Sequence, residues 1–159
     1  PAYNFRSTEL NAVLGLSQIK SLDSNNDIRR DNFEYFLSKL DSTKYVTTLD
    51  TKGQSNYAFI VIMREADIMQ RNKVESMLKS NNIEFRRGLS GGGNQLRQPY
   101  ISRHAEKIGR SWQVGMTDQA LQQSFANIEH VHNYSWYIGN YPSLEREKIT
   151  NLITLLNNV

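Results

Sequence analysis

The sequence predicts a single α+β domain, because helical and strand patterns alternate along a chain of 159 residues. Apolar residues recur with helical spacing in residues 8–22. Residues 57–63 form a continuous run of mainly aromatic and aliphatic side chains, which is typical of a buried strand. A helical pattern over residues 68–81 follows, and residues 83–86 then alternate as a short strand.

The first predicted helix, over residues 8–22, is apolar on more than one side. A helix of this kind is usually buried between two bodies. The polar residues 23–27 predict a turn or a kink, after which a second helical pattern surrounds Phe36. The apolar side chains of the first helix are Leu10, Ala12, Val13, Leu14, Leu16, Ile19 and Leu22.

The second half of the chain begins with a loop over residues 88–99 that contains three consecutive glycines. Residues 100–116 carry no decisive pattern. Thr117 is predicted to cap a short helix. Residues 134–138 predict a third strand, and Ser143 is predicted to cap the last helix.

Composition excludes several classes of protein. Hydrophobic residues make up 38% and charged residues 22% of the chain, which suits a soluble domain. The formal net charge of +3 argues against a dedicated nucleic-acid binder. Cysteine is absent, so the chain has no disulfide and no thiolate ligand or nucleophile. The longest apolar run, residues 59–63, is too short to span a membrane, and we expect a cytoplasmic location.

The residues alone indicate no complete catalytic set. His104, His130 and His132 lack a further ligand at the spacing that metal sites use, so no metal site is predicted. The sequence also lacks the Gly-Lys-Ser/Thr end of a phosphate-binding loop.

Two segments nevertheless carry residues suited to ligand binding. Asn4 and Arg6 precede the first helix, where an arginine and free backbone N–H groups can bind a phosphate. The alternative is an ordinary helix start with a solvated arginine. The glycine-rich loop concentrates hydrogen-bond donors, which suits an anionic or polyhydroxyl ligand, although a solvated basic turn has the same composition. The candidate substrate-binding residues of this loop are Arg87, Asn94, Gln95, Arg97 and Gln98.

The opening residues resemble a known family. Residues 3–10, Tyr-Asn-Phe-Arg-Ser-Thr-Glu-Leu, resemble the segment that opens the last part of DegT-like sugar-nucleotide aminotransferases and dehydratases, which are fold type I enzymes dependent on pyridoxal phosphate. The resemblance implies that residues 1–159 are the small C-terminal domain of such an enzyme. Residues 1–44 are then expected to be a helical interface segment. Residues 45–159 are expected to form an α/β sandwich with a small antiparallel sheet packed against helices.

The glycine-rich loop resembles one branch of this family. Residues 93–99 read Gly-Asn-Gln-Leu-Arg-Gln-Pro, similar to the Gly-Asn-x-x-x-Gln-Pro loop of the 3-dehydratases, where most aminotransferases have a Pro-Leu-His-x-Gln type of motif. Residues 135–144 are also similar to a segment of that branch. The resemblance implies a dehydratase that acts on a nucleotide-linked 4-keto-6-deoxy sugar with pyridoxamine or pyridoxal 5'-phosphate. Its product would serve deoxy- and amino-sugar synthesis for surface polysaccharide, including lipopolysaccharide.

Two alternatives remain open at this stage. Within the family, the alternative is a sugar-nucleotide 4-aminotransferase similar to perosamine synthases. From another class, the alternative is a non-catalytic α+β module for binding or dimerisation. A lysine at the cofactor position of the parent protein indicates the aminotransferase, and a histidine indicates the dehydratase.

The resemblance also assigns roles and partners. Asn4 is expected to contact the phosphate of the cofactor held by a partner subunit, and Arg6 to support that contact. The expected partners are a second copy of the enzyme, its own N-terminal large domain and a nucleotide sugar, with no nucleic acid and no membrane. The lysine or histidine that faces the cofactor is expected upstream of this chain. No catalytic residue is therefore expected within it, and the chain is expected to be inactive alone.

Overall fold

The computed structural model of the chain describes residues 8–88, 93–107 and 117–159. These residues form seven α-helices, two short 3-10 helices and three strands. The α-helices are α1 (Glu9–Gln18), α2 (Leu22–Lys39), α3 (Ile68–Ser80), α4 (Pro99–Lys107), α5 (Asp118–Ser124), α6 (Ala126–Tyr134) and α7 (Arg146–Asn158). The strands are β1 (Ala58–Ile62), β2 (Arg86–Arg87) and β3 (Ser135–Gly139), and the 3-10 helices are Ile19–Ser21 and Gln95–Arg97.

The three strands form one antiparallel sheet in the order β1-β3-β2. The last strand of the chain is therefore central. In the register, Phe59 pairs with Ile138 and Val61 pairs with Trp136, while Arg87 pairs with Trp136 from the other side. Helices and a small antiparallel sheet were predicted together, and this part of the prediction is confirmed.

One face of the sheet forms the core. Because side chains alternate along a strand, Phe59, Val61 and Trp136 point to the same face, and all three are fully buried. The rings of Phe36 and Phe59 lie 4.7 Å apart between centroids, which packs α2 directly on β1. Helices α3 and α7 complete the cluster with Val74, Leu78, Ile149, Leu152, Ile153 and Leu156.

Asn140 fastens the end of the central strand to α2. Its side chain is 1% exposed, and its Nδ2 donates to the carbonyl oxygens of Arg29 and Asn56, each at 2.9 Å. Its Oδ1 accepts a 3.3 Å hydrogen bond from the amide of Asn32. A buried amide is stable only when its hydrogen-bonding capacity is met, and here three partners meet it.

The N-terminal helices differ from the prediction in one respect. The interruption falls at the 3-10 turn Ile19–Ser21, and α2 runs without a break through the polar residues 23–27. The predicted turn or kink at residues 23–27 is therefore wrong. The Ser24 hydroxyl donates to the carbonyl oxygen of Ser21, and the Asn25 amide donates to the hydroxyl of Ser21. These polar side chains therefore have hydrogen-bond partners while the helix continues.

Of the two predicted helix caps, Thr117 is confirmed and Ser143 is wrong. The Thr117 hydroxyl accepts a 3.2 Å hydrogen bond from the backbone N–H of Ala120, which confirms the predicted cap of α5. Ser143 does not cap the last helix, because a turn closes between Leu144 and Tyr141 and α7 begins only at Arg146. Helix α6 was not predicted at all, and residues 100–107, left without a prediction, belong to α4.

Candidate functional site

The described ends of the glycine-rich loop lie side by side. The N–H of Gly88 donates a 2.8 Å hydrogen bond to the carbonyl oxygen of Ser135, which holds the loop start on β3. Gly93 has a φ of 81°, and a Cβ added there would collide with the imidazole of His132. A Cβ on Gly88 would come within 2.9 Å of the Gly93 Cα. Both positions therefore require glycine, since the conformation and the space exclude a side chain.

Asn94 follows the loop and is buried, with 2% of its surface exposed. Its Nδ2 donates a 2.6 Å hydrogen bond to Oε1 of Glu129 in α6. Its Oδ1 accepts from the N–H of Leu96 at 3.0 Å and so starts the 3-10 helix Gln95–Arg97. Its backbone N–H donates to Nδ1 of His132 at 3.0 Å. Asn94 is thus held at three atoms by groups of the protein.

Arg97 binds the same carboxylate. Its Nε donates to Oε1 of Glu129 at 2.9 Å, and its Nη2 donates to Oε2 at 2.5 Å. Its Nη1 contacts Asp118 at 2.7 Å. This bidentate geometry is the strongest kind of charge-assisted hydrogen bonding between side chains.

Glu129 is the centre of this cluster, and its side chain is fully buried. The hydrogen bonds from Arg97 lower the pKa of its carboxyl, although burial opposes this effect. Burial lowers the pKa of the neighbouring His132, and the charge of Arg97 lowers it further. A neutral His132 fits the geometry, because its Nδ1 must carry a lone pair to accept the N–H of Asn94.

Arg87 is held by a second carboxylate. Its Nε and Nη2 donate to the two oxygens of Glu75 at 2.6 and 2.7 Å, and the indole N–H of Trp136 donates to Glu75 at 3.0 Å. Burial raises the pKa of Glu75, but the hydrogen bonds from Arg87 and Trp136 outweigh it and lower the pKa overall. This pair fastens the edge strand β2 to α3 and β3.

The two glutamines of the predicted set lie nearer the surface. Gln95 is exposed, its Nε2 donates to the carbonyl oxygen of Gly93 at 3.3 Å, and its Oε1 contacts the hydroxyl of Tyr100. Gln98 is half-buried, and its backbone N–H bonds the carbonyl oxygen of Gln95 at 3.0 Å. The structure therefore places Asn94, Gln95, Arg97 and Gln98 in one short segment. Arg87 lies apart from this segment and binds a different carboxylate, that of Glu75.

The charges of the segment are largely cancelled. Arg97 faces both Glu129 and Asp118, and Arg87 faces Glu75. The described arginines of the loop thus offer ordered hydrogen bonding but no excess positive charge.

The predicted cofactor contacts, Asn4 and Arg6, lie outside the described residues. Within residues 8–88, 93–107 and 117–159, the loop arginines that could contact a cofactor phosphate are paired with carboxylates. The same ranges contain no group of three His, Asp or Glu side chains that could hold a metal ion. No helix among the described residues is long and apolar enough to cross a membrane.

Sequence reasoning missed the carboxylates on which the loop depends. Glu129 and Glu75 lie 32 and 12 residues from their arginines, and no local pattern connects them. One signal was available for Glu129, which is the only charged carboxylate in residues 126–134 and lies among Ala, Ile and Val. A lone carboxylate on a largely uncharged helix indicates a buried ion pair.

Two surfaces lie apart from this loop. Helix α1 has no buried residue, and its Leu10, Leu14 and Leu16 are between 64% and 76% exposed. A cavity of about 920 Å³ opens between the lead-in to β2 and the start of α7, next to Phe85 and Leu144. None of the predicted substrate-binding residues lines that cavity.

Comparison with known proteins gives a consistent result. The model of the DegT/DnrJ/EryC1/StrS aminotransferase family matches residues 1–156. A GDP-4-keto-6-deoxy-D-mannose 3-dehydratase of Yersinia pseudotuberculosis is 24% identical over 157 residues, which cover 98% of this chain and 36% of that protein. The chain thus spans about a third of the length of the curated relatives it matches. The predicted resemblance to this family and to its 3-dehydratase members is confirmed.

Solved structures show the same fold. The E. coli GDP-4-keto-6-deoxy-D-mannose-3-dehydratase with bound hydrated PLP superposes with a TM-score of 0.70 at 23% identity, covering 98% of this chain and 37% of that one. A mutant 3-dehydratase with bound GDP-perosamine gives 0.69 at 23% identity, with 98% and 37% covered. A putative sugar aminotransferase of Streptococcus pneumoniae, in its apo form, gives 0.71 at 17% identity, with 99% and 36% covered. The predicted fold class is therefore confirmed.

Proposed function

Because the chain belongs to the DegT/DnrJ/EryC1/StrS aminotransferase family, we propose that it is the C-terminal part of an enzyme that uses pyridoxamine or pyridoxal 5'-phosphate to process a nucleotide-linked 4-keto-6-deoxy sugar. The proposed reaction is 3-dehydration, as a step in deoxy- and amino-sugar synthesis for surface polysaccharide. Relatives named as 3-dehydratases match nearly the whole chain, which supports this choice.

The observation that carries the proposal is the order of the segment Gly93–Gln98. Asn94 and Arg97 are fixed on one buried carboxylate, and both belong to the motif in which this chain resembles the 3-dehydratases. Arg97 has its charge cancelled by Glu129 and Asp118. An ordered segment without excess charge suits the keto-sugar part of the substrate, while the diphosphate requires other residues.

The cofactor belongs to a part of the enzyme that we assign by proposal alone. When bound, it supplies the electron-withdrawing system that makes removal of a sugar substituent feasible. We assign Asn4, and in support Arg6, to the phosphate of the cofactor in a partner subunit. The catalytic lysine or histidine lies in the remaining part of the parent protein, so this chain contributes binding and positioning.

The same proposal explains the exposed apolar surface of α1. Leu10, Leu14 and Leu16 are large apolar side chains that water contacts in the isolated chain. We assign this surface to contacts with the N-terminal large domain of the same enzyme and with a second copy of it. Residues 1–44 then act as the interface segment of a cytoplasmic homodimer.

The test uses the full-length parent protein, purified and loaded with pyridoxamine phosphate. It is incubated with GDP-4-keto-6-deoxymannose, first without and then with glutamate, and the products are identified by mass spectrometry. We expect loss of the 3-hydroxyl oxygen from the sugar. The variant Asn4→Ala should lose cofactor more readily on dialysis, and unchanged retention would contradict the phosphate role of Asn4.

A second function within the family has one observation in its favour. The fold matches a putative sugar aminotransferase about as well as it matches the dehydratases, with TM-scores of 0.71 and 0.70. Formation of a 4-amino sugar that still carries its 3-hydroxyl would identify this function. A full-length protein that alters no keto sugar under either condition would support a non-catalytic module instead.

A further inference from the structure

We propose that Glu129 is the positioning residue for the substrate-binding segment, although it has no exposed surface of its own. Its carboxylate fixes Asn94 and Arg97 in one arrangement and at the same time cancels the charge of Arg97. The substrate role rests on the proposed function. The anchoring of the segment rests on the structure alone.

The carboxylate uses both of its oxygens, Oε1 for Asn94 and Arg97 and Oε2 for Arg97 alone. Oε1 accepts from Asn94 at 2.6 Å and from Arg97 at 2.9 Å, and Oε2 accepts from Arg97 at 2.5 Å. These donors come from one turn of chain, so a single side chain sets the relative position of an amide and a guanidinium. Full burial of Glu129 excludes water from these contacts, which strengthens each of them.

A second anchor comes from the next turn of the same helix. His132 accepts the backbone N–H of Asn94 at 3.0 Å, and Gly93 packs against its imidazole. Helix α6 therefore holds the segment by both main chain and side chain. Because α6 leads directly into the central strand β3, the segment is fixed relative to the sheet.

The arrangement also explains why Glu129 is an acid and not an amide. Arg97 and Asn94 present only N–H donors towards Glu129, so the partner must accept at every position that they reach. A glutamine in its place would direct its own NH₂ group towards one of these donors. It would also leave Asp118, whose side chain is 84% exposed, as the only carboxylate paired with Arg97.

The test compares three variants of the full-length enzyme loaded with cofactor. Glu129→Gln removes the anchor. Asp118→Asn is the matched control, since it also removes a negative charge from Arg97 but leaves the Glu129 contacts in place. The double variant Arg97→Met with Glu129→Met replaces the buried ion pair with apolar side chains of similar size, which is often neutral for stability.

Two quantities are measured for each variant, namely the steady-state constants with GDP-4-keto-6-deoxymannose and the hydrogen exchange of the amides of Asn94 and Leu96. For Glu129→Gln we expect KM to rise about tenfold with kcat changed much less, and both amides to exchange faster. The control should match the wild type in both respects. The double variant should recover stability while the amide of Asn94 still exchanges faster than in the wild type, because methionine at position 129 offers Asn94 Nδ2 no acceptor.

The possible failures are distinguishable. Unchanged amide exchange in Glu129→Gln overturns the anchoring. Faster exchange with an unchanged KM in Glu129→Gln overturns the positioning of substrate but leaves the proposed function intact. Exchange as slow as in the wild type in the double variant overturns the anchoring. A wild-type enzyme that does not convert the sugar overturns the proposed function and the substrate role together, while the exchange data still decide the anchoring.

Discussion

Glu75 and Glu129, the two buried carboxylates among the described residues, have similar partners and different consequences. Glu75 and Glu129 each bind one arginine through both oxygens and take a further N–H donor, from Trp136 and Asn94 respectively. Glu75 is 10% exposed in its side chain and its arginine 42%, whereas Glu129 is fully buried and its arginine is 26% exposed. The first pair fastens a strand of two residues, and the second fastens a segment that belongs to no strand.

The difference shows how burial is matched to the element that is held. Strand β2 already has main-chain hydrogen bonds to β3, so its ion pair only adds to them. The segment Gly93–Gln98 has no sheet to join, and α6 holds it through Glu129 and His132. Where main-chain pairing is absent, buried side chains must supply the order.

The largest effect is expected from removing the arginine of the more buried pair. Arg97→Met leaves Glu129 charged and without its main partner, and we expect the free energy of unfolding to fall by about 3–5 kcal/mol. Urea unfolding followed by circular dichroism measures the change. A loss below about 1 kcal/mol would show that water reaches Glu129 and that the two pairs are alike.

The next effect concerns the glycine beside His132. Gly93→Ala places a side chain at a φ of 81° and against the imidazole, and we expect a loss of about 2–3 kcal/mol. Gly53→Ala is the matched control, because Gly53 has a φ of 71° but no atom within 4 Å of an added Cβ. The control should lose only about 1–2 kcal/mol. Equal losses in thermal unfolding would mean that His132 does not confine the segment.

A smaller loss is expected at the more exposed pair. Arg87→Met leaves Glu75 with the indole N–H of Trp136, and solvent screens the remaining charge. We expect a loss of about 1–2 kcal/mol in the same urea experiment. If this variant lost as much as Arg97→Met, the comparison between the pairs would fail, and β2 would depend on its ion pair as strongly as the segment does.

The smallest effect is a difference in pH dependence. The pKa of His132 is lower in the folded chain, so its contribution is complete above the ordinary value of 6.5 and decreases as the pH falls below it. The stabilisation linked to the lowered pKa values of Glu129 and Glu75 is complete above pH 4.5 and decreases only below it. On acidification from pH 7 to 5.5, the backbone amide of Asn94 should therefore exchange faster, while the exchange rate of the Arg87 amide should not yet change. Both rates are corrected for the intrinsic effect of pH on exchange. His132→Gln should remove this difference.

The sequence predicted the parts of the fold that depend on local pattern. The run at residues 57–63 marked β1, the helical spacing of residues 68–81 marked α3, and Thr117 marked the start of α5. The helix over residues 126–134 was not predicted, because α6 combines a buried glutamate with two histidines and shows no clear apolar stripe. The polar side chains of α6 have partners that lie far away in the sequence, such as Arg97 for Glu129.

The candidate site divides in the same way. Donor-rich residues in a glycine loop could be identified from residue type, so Asn94 and Arg97 were named. Their shared acceptor could not be identified, since the contact between Arg97 and Glu129 joins residues 32 positions apart. The substrate contacts of Arg87, Asn94, Gln95, Arg97 and Gln98 stay a prediction, as do the cofactor contacts of Asn4 and Arg6.

The central position of β3 has a consequence for biosynthesis. Strands β1 and β2 are made first, yet each pairs only with β3 in the sheet of the described residues. During translation neither strand has its partner until residues 135–139 have left the ribosome, so the edges that pair with β3 stay without main-chain partners until then. We therefore expect a ribosome-bound chain that ends before Ser135 to need a chaperone, because these long-range pairings cannot close until β3 has been made.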